Sequence, residues 1–165
     1  GSTPLGTGLT EVRNGSALIF RGYQGSAFNA STGLAANPIT LRVGGTIRLD
    51  DSNGLFTGAG DQGRWGDASA LTLNGGTFNY VGGSNLDTYE KIGAVTAGLG
   101  SGIIQLSRQN SGTAVLEVAS LARGTDRGTL IVTSAAAGSL NAAFAFDRLR
   151  VTEAPIGASV GGGKQ

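Results

Sequence analysis

The chain has 165 residues, with glycine at 30 positions, 14% charged side chains and a formal net charge of +1. It contains no Cys, Met or His, which excludes disulfide frameworks, Cys/His zinc sites, Ser-His-Asp triads, cysteine nucleophiles and haem held by His or Met. Near-neutrality argues against nucleic acid as a partner, because such binding calls for concentrated basic charge. No apolar run approaches the roughly 18–20 residues of a membrane helix, so a chain that does not span a membrane is expected.

Leu, Ile, Val and Phe make up about 24% of the chain, enough to build a core and to set disorder aside. The absence of an initiator Met is read as a mature product or an excised segment. In chain order, the elements are short runs of alternating apolar and polar residues bounded by Gly, Asn and Asp, the pattern of half-buried strands. The first runs from Leu9 to Phe20 and is broken at Asn14-Gly15. Ile39 to Val43 follows, with Ile39, Leu41 and Val43 facing inward. Thr46 to Asp50 repeats the device with Ile47 and Leu49, and Leu71-Thr72-Leu73 and Thr77 to Tyr80 continue it. Ala94 to Leu99 is the best helical candidate, but Gly98 interrupts it. Ile104 to Leu106, Ala114 to Val118, Leu130 to Val132, and Arg148 to Thr152 (Leu149 and Val151 inward) complete an all-β chain. The alanine run at 135–137 stops at Gly138 after one turn.

Internal repetition selects the architecture. Three segments share a strand, a glycine corner and a second strand: Leu9–Phe20, Ile39–Leu49 and Leu71–Tyr80. Aligned on the hydroxyl residue after the corner, Ser16, Thr46 and Thr77 lie 30 and 31 apart; Thr10, Thr40 and Thr72 lie 30 and 32 apart. In this frame Ala17/Ile47/Phe78 and Ile19/Leu49/Tyr80 alternate with Leu18/Arg48/Asn79, and Glu11 breaks the pattern opposite Leu41 and Leu73. The Gly-Thr signal returns at Gly112-Thr113 and Gly128-Thr129. A period near 30 is too short for a propeller blade of about 40–45 residues. It suits one rung of a parallel β-helix, a β-solenoid, of about five to six rungs and roughly 25 Å in height. An antiparallel sandwich competes, but it gives strands every 8–12 residues with no such echo.

The segment Leu71-Thr72-Leu73-Asn74-Gly75-Gly76-Thr77-Phe78-Asn79-Tyr80, preceded by Gly63-Arg64-Trp65-Gly66-Asp67, resembles the repeat of autotransporter-associated β-strand proteins. Thr88 to Val95 and Leu116 to Arg123 resemble the turns that follow in such repeats, and the likeness covers Leu9 to Thr133. It implies an exported, passenger-type bacterial surface protein built as a β-solenoid stalk or adhesive surface. It brings no catalytic residues with it.

Each candidate site has a plainer reading. Asp50-Asp51-Ser52-Asn53-Gly54 collects oxygen donors at a corner, as a calcium loop does, but lacks the fixed offsets and distal Glu; an Asx turn is expected. Gly58-Ala59-Gly60-Asp61-Gln62-Gly63 has the look of a dinucleotide fingerprint without the helix that motif requires, and reads as a corner loop. Asp50, Asp51, Asp61 and Asp67 form a glycosidase pair only if two of them converge. Trp65, Tyr80 and Tyr89 make a sugar platform only if adjacent; core or corner packing is expected, with Tyr80 inward. Asn14-Gly15-Ser16 and Asn29-Ala30-Ser31 are glycosylation sequons. A threonine ladder at Thr10, Thr40 and Thr72 lacks the second rank that ice binding wants.

The expectation is therefore a flexible segment at 1–8 (or an exchanged strand), a solenoid at 9–152 and a tail at 153–165. No catalytic, cofactor-binding or metal-ligating residue and no cofactor is expected. The function expected is a non-catalytic structural segment at the bacterial cell surface or outside the cell. Its partners would be its own copies, neighbouring repeats of a larger surface protein, or a glycan or host-cell surface. A self-assembling fibre subunit and a carbohydrate-active enzyme are the alternatives.

Overall fold

The computed structural model describes residues 9–21, 38–52, 64–135 and 147–153, and these form a three-sided parallel β-solenoid. The first face stacks β1 (Thr10–Val12), β3 (Ile39–Arg42), β5 (Leu71–Asn74), β8 (Val95–Ala97) and β11 (Leu121–Arg123). The second stacks β2 (Ala17–Arg21), β4 (Thr46–Asp50), β6 (Thr77–Ser84), β9 (Ser101–Gln109) and β12 (Thr129–Ser134). The third stacks β7 (Asp87–Ile92), β10 (Thr113–Val118) and β13 (Asp147–Val151). Every pairing between these strands is parallel. The five to six rungs expected become five strand layers, or four layer-to-layer steps.

Because side chains alternate across a strand, in-register stacking converts each inward position into a ladder through the core. On the first face Ile39, Leu71 and Val95 form one ladder, and Val12, Leu41, Leu73 and Ala97 another. On the second, Leu18, Ile47, Phe78, Ile104 and Val132 run beside Phe20, Leu49, Tyr80 and Leu106. On the third, Ile92 and Val118 lead to Val151, and Leu116 to Leu149. Most of these side chains are fully buried and belong to one continuous core. Trp65 enters that core between Phe20 and Phe78, edge to face with both at 6.0 and 5.6 Å between centroids.

The corner from first to second face holds one left-handed residue in every layer: Gly15, Gly44, Gly75, Gly100 and Arg127. This geometry corrects the register of the first layer. The turn residue, not the hydroxyl, is the equivalent point, so Ala17 pairs with Thr46 while Thr46 pairs with Thr77 as expected. Ser16 therefore occupies the place of Gly45 and Gly76. A Cβ on Gly45 would fall on the carbonyl of Val12 in the layer below. Ser16 lies in the first described layer and is exposed. The same one-residue shift pairs Glu11, not Thr10, with Thr40, and aligns Val12 with Leu41. Glu11 thus points outward, and the apparent break in the apolar pattern disappears. The threonine ladder is Thr40–Thr72–Thr96.

Other expectations are corrected on the same grounds. Leu18 faces inward and Ile19 outward, where it is exposed. Val43 leaves β3 for the turn at Gly44 and is exposed. Residues 95–97 of the helical candidate are strand β8. Thr113 opens β10 on the third face, and Thr129 pairs with Ser101, so neither continues the Thr46–Thr77 ladder.

Candidate functional site

The densest chemistry lies inside the stack, at the second and third layers. Beyond β4, Asp51 turns inward and is fully buried, and its carboxylate is paired with the buried guanidinium of Arg64. On β7 the alternation that sends Thr88 and Ile92 into the core sends Glu90 there too, at the foot of the ladder that continues as Leu116 and Leu149. Glu90 lies against the segment beginning at Arg64. Its two oxygens accept the backbone N–H groups of Arg64 and Trp65, each at 2.8 Å. A side-chain carboxylate so satisfies donors that a neighbouring strand would otherwise take. The same segment is held further along by Gly93 N–H donating to Ser69 (3.0 Å) and by the Trp65 indole N–H donating to the Ser69 carbonyl (3.1 Å).

Two carboxyls share this pocket with one guanidinium and the buried phenol of Tyr80. Burial pushes the Glu90 carboxyl up to about 8, against the pull of the two N–H donors. Burial also raises Asp51, outweighing the attraction of Arg64. Tyr80 is pushed well up, first by burial and then by the charges of Asp51 and Glu90. With one carboxyl protonated, Asp51 and Arg64 cancel and no net charge is buried, which is the low-cost state in a dry interior. The arrangement can hold a proton and clamp a chain segment, with its reactive atoms turned away from solvent.

Another buried carboxylate repeats the theme near the last layer. Asp147 accepts the Arg108 backbone N–H at 3.1 Å and the Ser134 hydroxyl, tying the third face to the second.

The expected candidates separate accordingly. Asp50 Oδ1 accepts the Ser52 N–H at 3.0 Å, an Asx turn as expected. Its carboxylate is gripped from outside by Arg21 and Arg48, so Asp50 and Asp51 face opposite ways. Asp67 is half-buried on the other side, where its charge reaches Tyr89. Asp61, Gly58–Gly63 and Asn29 lie outside the described residues, while Asn14-Gly15-Ser16 is an exposed turn. Trp65 and Tyr80 are buried, leaving only Tyr89 of the three aromatics at the surface, so they form no joint platform. Glu90 was not singled out as a site residue, although Thr88-Tyr89-Glu90-Lys91-Ile92 carries the signal: an acid in phase with an inward Ile.

Among the described residues no three acidic side chains gather as a metal set, and no helix is long and apolar enough to cross a membrane. Comparison with protein-family models, curated proteins and solved structures returns no match.

Proposed function

We propose that this chain is a non-catalytic structural segment of a bacterial surface protein, a stalk, coat or adhesive passenger of the autotransporter-associated repeat type, exposed outside the cell. The observation that carries this reading is where the carboxylates go. Asp51 and Glu90 are spent inside the stack on Arg64 and Trp65, and Asp50 is locked between two arginines. Sugar hydrolysis asks for two carboxyls facing one accessible gap; Asp51 and Glu90 meet only in the buried interior, and Asp50 faces away from them. A rigid rod of in-register layers suits a spacer or display surface, since each layer rests only on its neighbours and the length follows from their number. The test is antibody labelling of intact cells of the source bacterium. Labelling before lysis, and its removal by brief external protease, is expected; labelling only after lysis overturns the reading.

A second reading, a self-assembling fibre subunit, draws on the strands at the two ends. Among the described residues β1 and β2 at one end, and β11, β12 and β13 at the other, each pair on one side only. An unpaired edge is a template for another strand. Electron microscopy of the purified chain separates the two: isolated short rods favour the spacer, and filaments favour the fibre.

A further inference from the structure

The fold sorts charge by sign. Among the described residues Asp50, Asp51, Glu90 and Asp147 are buried against a single buried base, Arg64. The exterior formed by the described residues is therefore more basic than the chain's net charge of +1 suggests. On the first two layers this excess is carried by two trios, one on the first face beside the corner to the second, the other on the second face toward the far ends of β2 and β4. There Arg13 and Arg42 share Glu11, each guanidinium placing Nε at 3.1 Å and Nη2 at 2.6 Å from one carboxylate oxygen. Arg21 and Arg48 share Asp50 at 3.3 and 3.2 Å. The four arginine side chains are 73%, 47%, 59% and 37% exposed, whereas Glu11 and Asp50 are 19% and 4% exposed. Each trio keeps one positive charge in surplus, with its acid beneath and its guanidinium edges toward solvent. At the far end exposed Arg123 and Arg127 flank exposed Asp126, and on the third face Lys91 and Arg150 lie on either side of Glu117 in the ladder.

We infer that these two arginine trios together form a docking surface for an acidic polysaccharide. The inference rests on the cell-surface reading above and names the partner that reading leaves open. Guanidinium recognises carboxylate and sulfate through paired N–H donors. Here the internal carboxylates hold the side chains in place and remove part of the ordering cost that free arginines would meet on binding. Each trio spans the same two strand layers, about 4.8 Å apart, and the stacked strands hold both on one rigid support, so a polymer that crosses the corner from first to second face engages both at once. Single-stranded nucleic acid is the weaker fit, because binding it uses exposed aromatic platforms, and among the described residues the nearby aromatics Phe20 and Trp65 are buried.

The test is affinity electrophoresis or surface-plasmon binding of the full chain to polygalacturonate, with dextran as the neutral control and DNA as the rival polyanion. The wild-type chain binds polygalacturonate at low salt, ignores dextran, and loses affinity as salt screens the contact. R13Q/R42Q and R21Q/R48Q each weaken binding about tenfold, equivalent to the loss of roughly 1.4 kcal/mol of charge-assisted contact. R21K/R48K, which keeps cations beside Asp50, retains folding and falls between them and wild type. R123Q/R127Q at the far end leaves binding within about twofold. No binding by wild type, equal losses from the far-end variant, or tighter binding to DNA would each overturn the inference. A chain that labels intact cells yet ignores polygalacturonate overturns it while the surface reading stands.

Discussion

Glu90 shows how one side chain couples protonation to folding. In the unfolded chain its carboxyl titrates near the ordinary value of 4.5, and in the solenoid burial raises it to about 8. The folded state therefore holds a proton over a window in which the unfolded state has released it. Its stabilising contribution is present in full below about 4.5 and declines as pH rises toward 8. Asp51 is shifted in the same direction, and Asp50, lowered with Ser52, Arg48 and Arg21 around it, acts oppositely by withdrawing stability as pH falls through its folded value. Urea melts from pH 4 to 9 at constant ionic strength are expected to show greatest stability in the mildly acidic range, then a loss on the order of a few kcal/mol toward pH 9. E90Q keeps one acceptor but turns an amide toward the other N–H, costing about 1–3 kcal/mol near pH 6 and flattening the alkaline slope. A slope unchanged in E90Q would place the titration elsewhere.

At the scale of the element, a corner is decided by what lies in the layer beneath it. Gly45 and Gly76 precede strands of the second face and have no room for a Cβ, since backbone of the preceding layer stands where it would project. Ser16, at the equivalent place in the first layer, is exposed. Gly45→Ala is thus expected to destabilise by about 1–3 kcal/mol through overpacking, and Ser16→Ala to stay within about 0.5 kcal/mol. Equilibrium denaturation measures both, and equal effects would contradict the layer argument. The corner from second to third face uses a different device. Asn85 and Asn110 adopt left-handed backbone there and stack, with Asn110 donating to Ser84 Oγ at 2.7 Å and Ser111 donating to Asn85 Oδ1 at 2.9 Å. Asparagine tolerates that conformation better than most residues and offers a side chain to bond with.

Over the whole molecule, stability follows position along the stack. A layered protein is held by nearest-neighbour interfaces. The strands β6 and β9 have neighbours on both sides, whereas β1, β2, β11, β12 and β13 have one each. Hydrogen exchange is expected to protect amides of β6 and β9 longest and to exchange the end layers first. Uniform protection across all layers would instead indicate a single cooperative unit.

Period, parallel stacking and most of the core were legible in the residues, because alternation within a strand and recurrence near 30 residues are one-dimensional signals that survive without knowledge of the fold. The pairing of Thr46 with Thr77, the inward course of Tyr80 and the Asx turn at Asp50 follow from them. Register in the first layer did not, because Ser16 and Thr46 are chemically alike and only the backbone of an underlying layer distinguishes their places. The candidate site escaped for a related reason. Asp51, Arg64 and Glu90 are 13 and 26 residues apart, and which face of a strand looks at which loop is settled only when the coils close. Local alternation thus determined what each strand buries, while the three-sided winding decided which buried charges meet, since that depends on distances through the core rather than along the chain.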